Sequence, residues 1–173
     1  MEHDEYNVQL CNEHGITTGY KVRRDVDKKR DTIHVVDIFV IGGGKLLLAK
    51  IPTSPIYTGL WGVSAVTLLR QHESVEEGAL RCLESELEII PTDVMLDPLG
   101  AKFFQYPDGV RRFRTTFYAE TLRKVFVTDP KNASELRWFS RDDIDDMVDN
   151  AAIECSPPFL ALWREYREKI PMR

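Results

Sequence analysis

The chain has 173 residues, 43% hydrophobic and 29% charged, with a formal net charge of −5. That size suits one domain with a real core, and the apolar content excludes wholesale disorder. An acidic balance also argues against general nucleic-acid binding, which draws on a basic surface.

The opening stretch MEHDEYNVQL is acidic and polar, unlike a secretory signal or an Arg-rich transit peptide. No apolar run approaches the roughly 18 residues that span a membrane. Cys11, Cys82 and Cys155 lie far apart with no CxxC pair, so a reducing, cytoplasmic setting is expected.

YNVQL and TTGYKV flank CNEHGI and predict an N-terminal hairpin with Gly15 in its turn. HVVDIFVI, then three glycines, then KLLLAK (45–50) predict a second hairpin, because β-branched runs are separated there by a turn that only glycine fills. IPTSPIYTG reads as a proline-bearing loop, and LWGVSAV (60–66) as one short strand. Ser74-Val75-Glu76-Glu77 spells a capping box. Ala79, Leu80, Leu83 and Leu87 follow it at helical spacing, giving one apolar stripe. LGAKFFQY (99–106) and RFRTTFYAET (112–121) predict a hairpin across Pro107-Asp108-Gly109. ELRWFS (135–140) is a further strand, and RDDIDDMVDN and PFLALWREYREKI read as closing helices. Strands, one helix, strands and then helices predict an α+β fold, a sandwich of helices on a mixed β-sheet. One domain is expected over 1–173, with its N-terminal hairpin at about 6–24, core at about 34–140 and C-terminal helices at about 141–170.

The stretch HESVEEGALRCLESELEI (72–89) resembles the Nudix box: G, five residues, E, seven residues, then R-E-U-x-E-E-x-G-U with U aliphatic. Anchored on Arg81, the pattern places Glu73 on its first Glu, Leu83 and Ile89 on aliphatic positions, and Glu86 on the last Glu. Thr67, Cys82, Ser85 and Glu88 depart from it. KLLLAK, Trp61-Gly62 and Glu135–Trp138 fit the surroundings of such a box. The resemblance implies a Nudix-type α/β/α sandwich, with Glu73 and Arg81 structural and Glu86 both metal ligand and catalytic residue. In the family pattern the face at 82, 85 and 86 carries carboxylates that hold Mg²⁺, activate water and neutralise a diphosphate. Here it carries a thiol, a hydroxyl and one carboxylate. Mg²⁺ wants hard oxygen ligands, so only a weak Mg²⁺ site is expected. Glu77 is expected to pair with Arg81 four residues on, and Glu120 is the acid that could approach from a neighbouring strand.

The chain is also similar to the isopentenyl diphosphate isomerase branch, in HES…ALRCLESEL, NEHGITTGYKVRRDV, His34, Trp61–Ser64 and Ser156-Pro157. That branch's Cys, His and E-x-E pair fall at Val66, Leu68, Arg111 and Phe113, so isomerase activity is not expected. Arg112 and Arg114 should project from one face of their strand, either as a solvated strand edge or as a phosphate clamp that binds the ligand, since guanidinium forks suit phosphate. His72, in the box loop, is a further candidate ligand-binding residue. His34 is expected to be a satisfied hydrogen-bonding residue and Cys82 a small half-buried thiol.

Two functions remain open. One is a binding module for a nucleotide or other diphosphate ligand, with hydrolysis impaired or absent. The other is a Mg²⁺-dependent hydrolase of a nucleoside diphosphate linked to another group, using Glu86 and a carboxylate outside the box. The lost carboxylates favour the first. A small-molecule partner is expected, nucleic acid and membrane are not, and a homodimer is left open.

Overall fold

The hairpin Ile33–Gly42 (β3) and Lys45–Lys50 (β4) is the trunk of the fold. In the computed structural model, which describes residues 5–54, 56–123 and 130–173, every residue of β3 except Gly42 is buried. A strand covered on both faces needs this continuous apolar run. Pro55 of the proline-bearing loop lies outside the described residues.

Among the described residues nine strands form one mixed sheet. Asn7–Cys11 (β1) and Thr17–Val22 (β2) make the expected N-terminal hairpin, and β1 touches β3 at Leu10 and Ile33. LWGVSAV is two strands and not the expected one. Trp61–Val63 (β5) pairs with β4, and Ala65–Leu68 (β6) pairs with β3. The break falls at Ser64, where the chain leaves one partner for the other. Val94–Gln105 (β7) starts earlier than LGAKFFQY suggested and runs antiparallel to Arg111–Thr121 (β8), with an irregularity between Pro98 and Gly100. β8 lies parallel to β3 over nine residue pairs, and Glu135–Phe139 (β9) closes on β4.

Among the described residues three α-helices cover the two faces. Val75–Leu87 (α1) buries Ala79, Cys82, Leu83 and Leu87 against Val36, Ile38, Val40 and Phe117. Cys82 stands on the apolar stripe, whereas Leu80 is only half-buried. Arg141–Asn150 (α2) and Pro157–Tyr166 (α3) pack Ile144, Phe159 and Trp163 against Phe39, Leu46 and Leu48 on the other face. This is the expected α+β sandwich. Among the described residues no helix is long and apolar enough to cross a membrane.

α1 starts at its capping box and ends on Glu88, whose φ of 54° is left-handed. The Ile89 N–H returns to the Leu83 carbonyl at 3.1 Å and the Glu88 N–H to Glu84 at 3.0 Å, a helix stop that favours glycine. Glu88→Gly is therefore expected to raise stability by about 0.5–1 kcal/mol, since relief of the left-handed strain exceeds the entropy glycine adds to the unfolded chain. Urea unfolding checks it.

Candidate functional site

The sheet forks. β3 offers one edge to β8, so β4 and β6 must share the other, at Val40–Gly42 and Val35–Ile38 respectively. β4 likewise gives one edge to β9 and shares the other between β3 and β5. β4 and β6 thus part along β3, and Ser64 stands at the apex of the split. Its hydroxyl is buried without a hydrogen-bond partner among the described residues.

α1 brings the box residues to this fork. Arg81 donates to both Glu73 oxygens, at 2.6 and 2.9 Å, and to the Leu68 carbonyl at 3.3 Å. Glu73 also accepts the Arg70 N–H at 3.0 Å. Burial opposes its charge, but Arg81 and that N–H hold its carboxyl below the ordinary range. The pair ties the loop before the helix to the helix itself. Glu77 does not pair with Arg81 as expected. Its carboxylate accepts the Ser74 N–H at 2.8 Å and so completes the capping box.

Glu86 sits beside β6, near the Val66 N–H and the Cys82 thiol, which both favour its charged form. Burial pushes its pKa up to about 7, although Arg81 and these two donors pull it down. Cys82 is 1% exposed, and burial, reinforced by Glu86, raises its thiol well above the ordinary value. The thiol is therefore neutral at physiological pH. Ser85 donates to the Cys82 carbonyl at 3.3 Å in its own helix. The face that carries carboxylates in the box pattern thus presents one acid with a raised pKa, one neutral thiol and one occupied hydroxyl.

Asp37 of β3 and Arg114 of β8 form a buried ion pair that the sequence reading missed. One terminal nitrogen of Arg114 donates to both Asp37 oxygens, at 2.7 and 2.9 Å, with the side chains 9% and 1% exposed. Its Nε donates to the Tyr106 hydroxyl at 2.9 Å. Burial opposes the charge on Arg114, and Asp37 with Tyr106 more than offsets this and raises its pKa. Arg114 is thus a core cation, not an open clamp. Arg112 shares its strand face, as expected, but no described carboxylate pairs with it. It donates to the Arg111 carbonyl at 2.7 Å, and burial together with Arg114 lowers its pKa. Arg111 turns the other way, to Glu13 at 3.3 Å.

The remaining candidates are placed elsewhere. His72 is exposed, left-handed at φ 62°, and its ring lies 5.5 Å from that of Tyr20 in β2. Its loop is braced by Gln9, whose buried carboxamide donates to the Arg70 and Glu73 carbonyls, each at 2.8 Å. His34 bonds Thr115 at 2.7 Å, a satisfied core histidine as expected. Glu120 lines a cavity of about 810 Å³ with Gly42, Asp93, Met95 and Arg173. None of the box residues lines that cavity, so Glu120 does not join Glu86.

A model of the NUDIX domain matches residues 29–161. The chain belongs to the NUDIX domain family. Solved structures share the Nudix fold at low identity. DR0079 from Deinococcus radiodurans superposes with a TM-score of 0.75 at 20% identity, covering 92% of this chain and 98% of that one. The NUDIX domain of Shewanella oneidensis NrtR, in complex with ADP ribose, gives 0.62 at 19%, covering 84% and 94%. A C. elegans Ap4A hydrolase in a binary complex gives 0.59 at 13%, covering 80% and 97%. No curated protein matches the chain.

Nudix hydrolases generally use divalent metals. Among the described residues no group of three or more His, Cys, Asp or Glu is placed to hold one. A lone carboxyl beside a neutral thiol does not fit a cluster of hard, octahedral ions.

Proposed function

We propose that this chain acts as a single Nudix domain that binds a nucleotide or other diphosphate ligand at the fork and hydrolyses it poorly or not at all. The observation that carries the reading is the composition of the α1 face. A Mg²⁺ cluster needs several ionised oxygens on one side, and Glu86 supplies one, held near half-ionisation by burial. A single weak Mg²⁺ site at Glu86, shared with ligand phosphates, is the most this face offers. Arg112 supplies positive charge without metal. The departures at Cys82 and Ser85 resemble those of the isomerase-like branch. The isomerase chemistry is not proposed, because Val66, Leu68, Arg111 and Phe113 occupy the positions that would carry it.

One observation favours the second reading, an active Mg²⁺-dependent hydrolase. A carboxyl with a pKa near 7 is well placed to accept a proton at neutral pH.

The test is product release from ADP-ribose, dinucleoside tetraphosphates, nucleoside triphosphates and ADP, with and without Mg²⁺ or Mn²⁺. Ligand-induced thermal shifts are read on the same panel. Thermal stabilisation without turnover is the expected result. Metal-dependent turnover lost in Glu86→Gln would make the protein a hydrolase and overturn the binding reading.

A further inference from the structure

Tyr106 leads out of the buried ion pair toward Arg112. The cross-strand register puts Phe104 opposite Arg112 and Lys102 opposite Arg114. Tyr106 stands two residues beyond Phe104, its ring nearly parallel to that of Phe104 at 6.4 Å between centroids and 9° between planes. Its hydroxyl oxygen accepts from the Arg114 Nε, and Arg114 is fixed in turn by Asp37. A phenol that accepts through its oxygen still has its own O–H to donate. Among the described residues that O–H donates to no protein acceptor, Asp37 included, and Asp37 has both oxygens engaged by Arg114.

Arg112 is the neighbouring cation. It has the like charge of Arg114 beside it and no carboxylate paired with it among the described residues. Tyr57 reaches the same place from the loop after β4. Burial, Asp108 and Tyr106 raise its pKa while Arg114 and Arg112 lower it, so these groups share one electrostatic neighbourhood. Asp108 is the acid in that neighbourhood, and its carboxylate accepts the Val110 N–H at 3.0 Å within the β7–β8 turn. Asp108 favours the charge on Arg112 but forms no ion pair with it among the described residues, so a half-buried guanidinium next to a second cation and a free phenol O–H can still take an anion. A phosphate group offers the oxygens that both donors need.

We infer that Arg112 and Tyr106 form a phosphate cup that works without metal, with Asp37 and Arg114 as the residues that position it. The inference rests on the reading of this domain as a diphosphate-ligand site. It deepens that reading by giving one phosphate a place away from Glu86.

The experiment is calorimetric titration of inorganic pyrophosphate and ADP in EDTA, and again in Mg²⁺, against wild type, Tyr106→Phe, Arg112→Gln, Arg112→Lys and Glu86→Gln. Thermal midpoints confirm that each variant is folded. Binding in EDTA is expected to weaken about tenfold in Tyr106→Phe and about 100-fold in Arg112→Gln. Arg112→Lys should recover part of the loss. Binding in EDTA that is indifferent to both Tyr106→Phe and Arg112→Gln overturns the cup and leaves a diphosphate-binding domain. Binding seen only with Mg²⁺ and lost in Glu86→Gln also overturns it, with the ligand placed on α1 instead. If neither probe binds in any condition, the cup and the diphosphate reading fall together.

Discussion

Asp37→Ala is expected to destabilise the protein by about 3–5 kcal/mol, because it leaves the Arg114 guanidinium buried and without its counter-charge. For a domain of this size that corresponds to a fall in Tm of roughly 10 °C. The penalty arises from the surviving partner more than from the lost contact. The double replacement Asp37→Leu with Arg114→Met, which removes both charges and keeps apolar volume, should therefore recover most of the stability. Urea unfolding of the wild type, both single variants and the double variant closes the cycle. A cost below about 1 kcal/mol for Asp37→Ala would mean that water reaches the pair, which is the behaviour of a surface ion pair. The same cycle separates folding from function, since the double variant keeps a core but leaves Tyr106 without its donor. It should be stable and should bind pyrophosphate weakly.

Which parts of this architecture were legible depended on whether the signal was local. The β3–β4 hairpin is written in two β-branched runs around three glycines, and α1 in a capping box followed by an apolar stripe. Both follow from backbone chemistry within about 15 residues. The fork is different. LWGVSAV carries one continuous strand signal, and nothing local says that residues before Ser64 pair with β4 and those after it with β3. That choice is made by partners far along the chain. Glu77 and Arg81 show the same limit at smaller scale. Their i,i+4 spacing permits an ion pair, yet the free Ser74 N–H claims Glu77, and Glu73 reaches Arg81 with better geometry.

Asp37 did leave a signal. An acid inside HVVDIFVI interrupts a strand that is otherwise apolar on both faces, and a buried carboxylate requires a partner. A cation on a neighbouring strand was therefore demanded. Arg112 and Arg114 were recognised as a pair on one face, but the parallel register of β3 and β8, which pairs Asp37 with Thr116 and Val35 with Arg114, decides which of them supplies it. Taking Arg114 into the core is what leaves Arg112 as the cation for a ligand. Tyr106 is left with a hydrogen-bond donor for a ligand for the same reason.

In Glu86→Gln, stability relative to the wild type is expected to rise with pH across the interval from about 5 to 8. The Glu86 carboxyl has a pKa of about 7 in the folded protein against a reference value of 4.5. Between those values the folded state holds a proton that the unfolded state has released. Wild-type stability from this group is therefore fully present at low pH and is lost as pH climbs through 7. The shift corresponds to about 2–3 kcal/mol once the partial exposure of the group is allowed for. Glutamine keeps the shape and a carbonyl oxygen, so the titration is what is removed. Urea unfolding of both proteins at intervals from pH 5 to 9, compared as a difference, cancels the groups they share. A difference that rises and levels above about pH 8 confirms a carboxyl held partly neutral by its surroundings. A difference that falls with pH would mean that Glu86 is stabilised as an anion. The α1 face would then be electropositive enough to hold a carboxylate ready for metal, and the case for impaired hydrolysis would lose its main support.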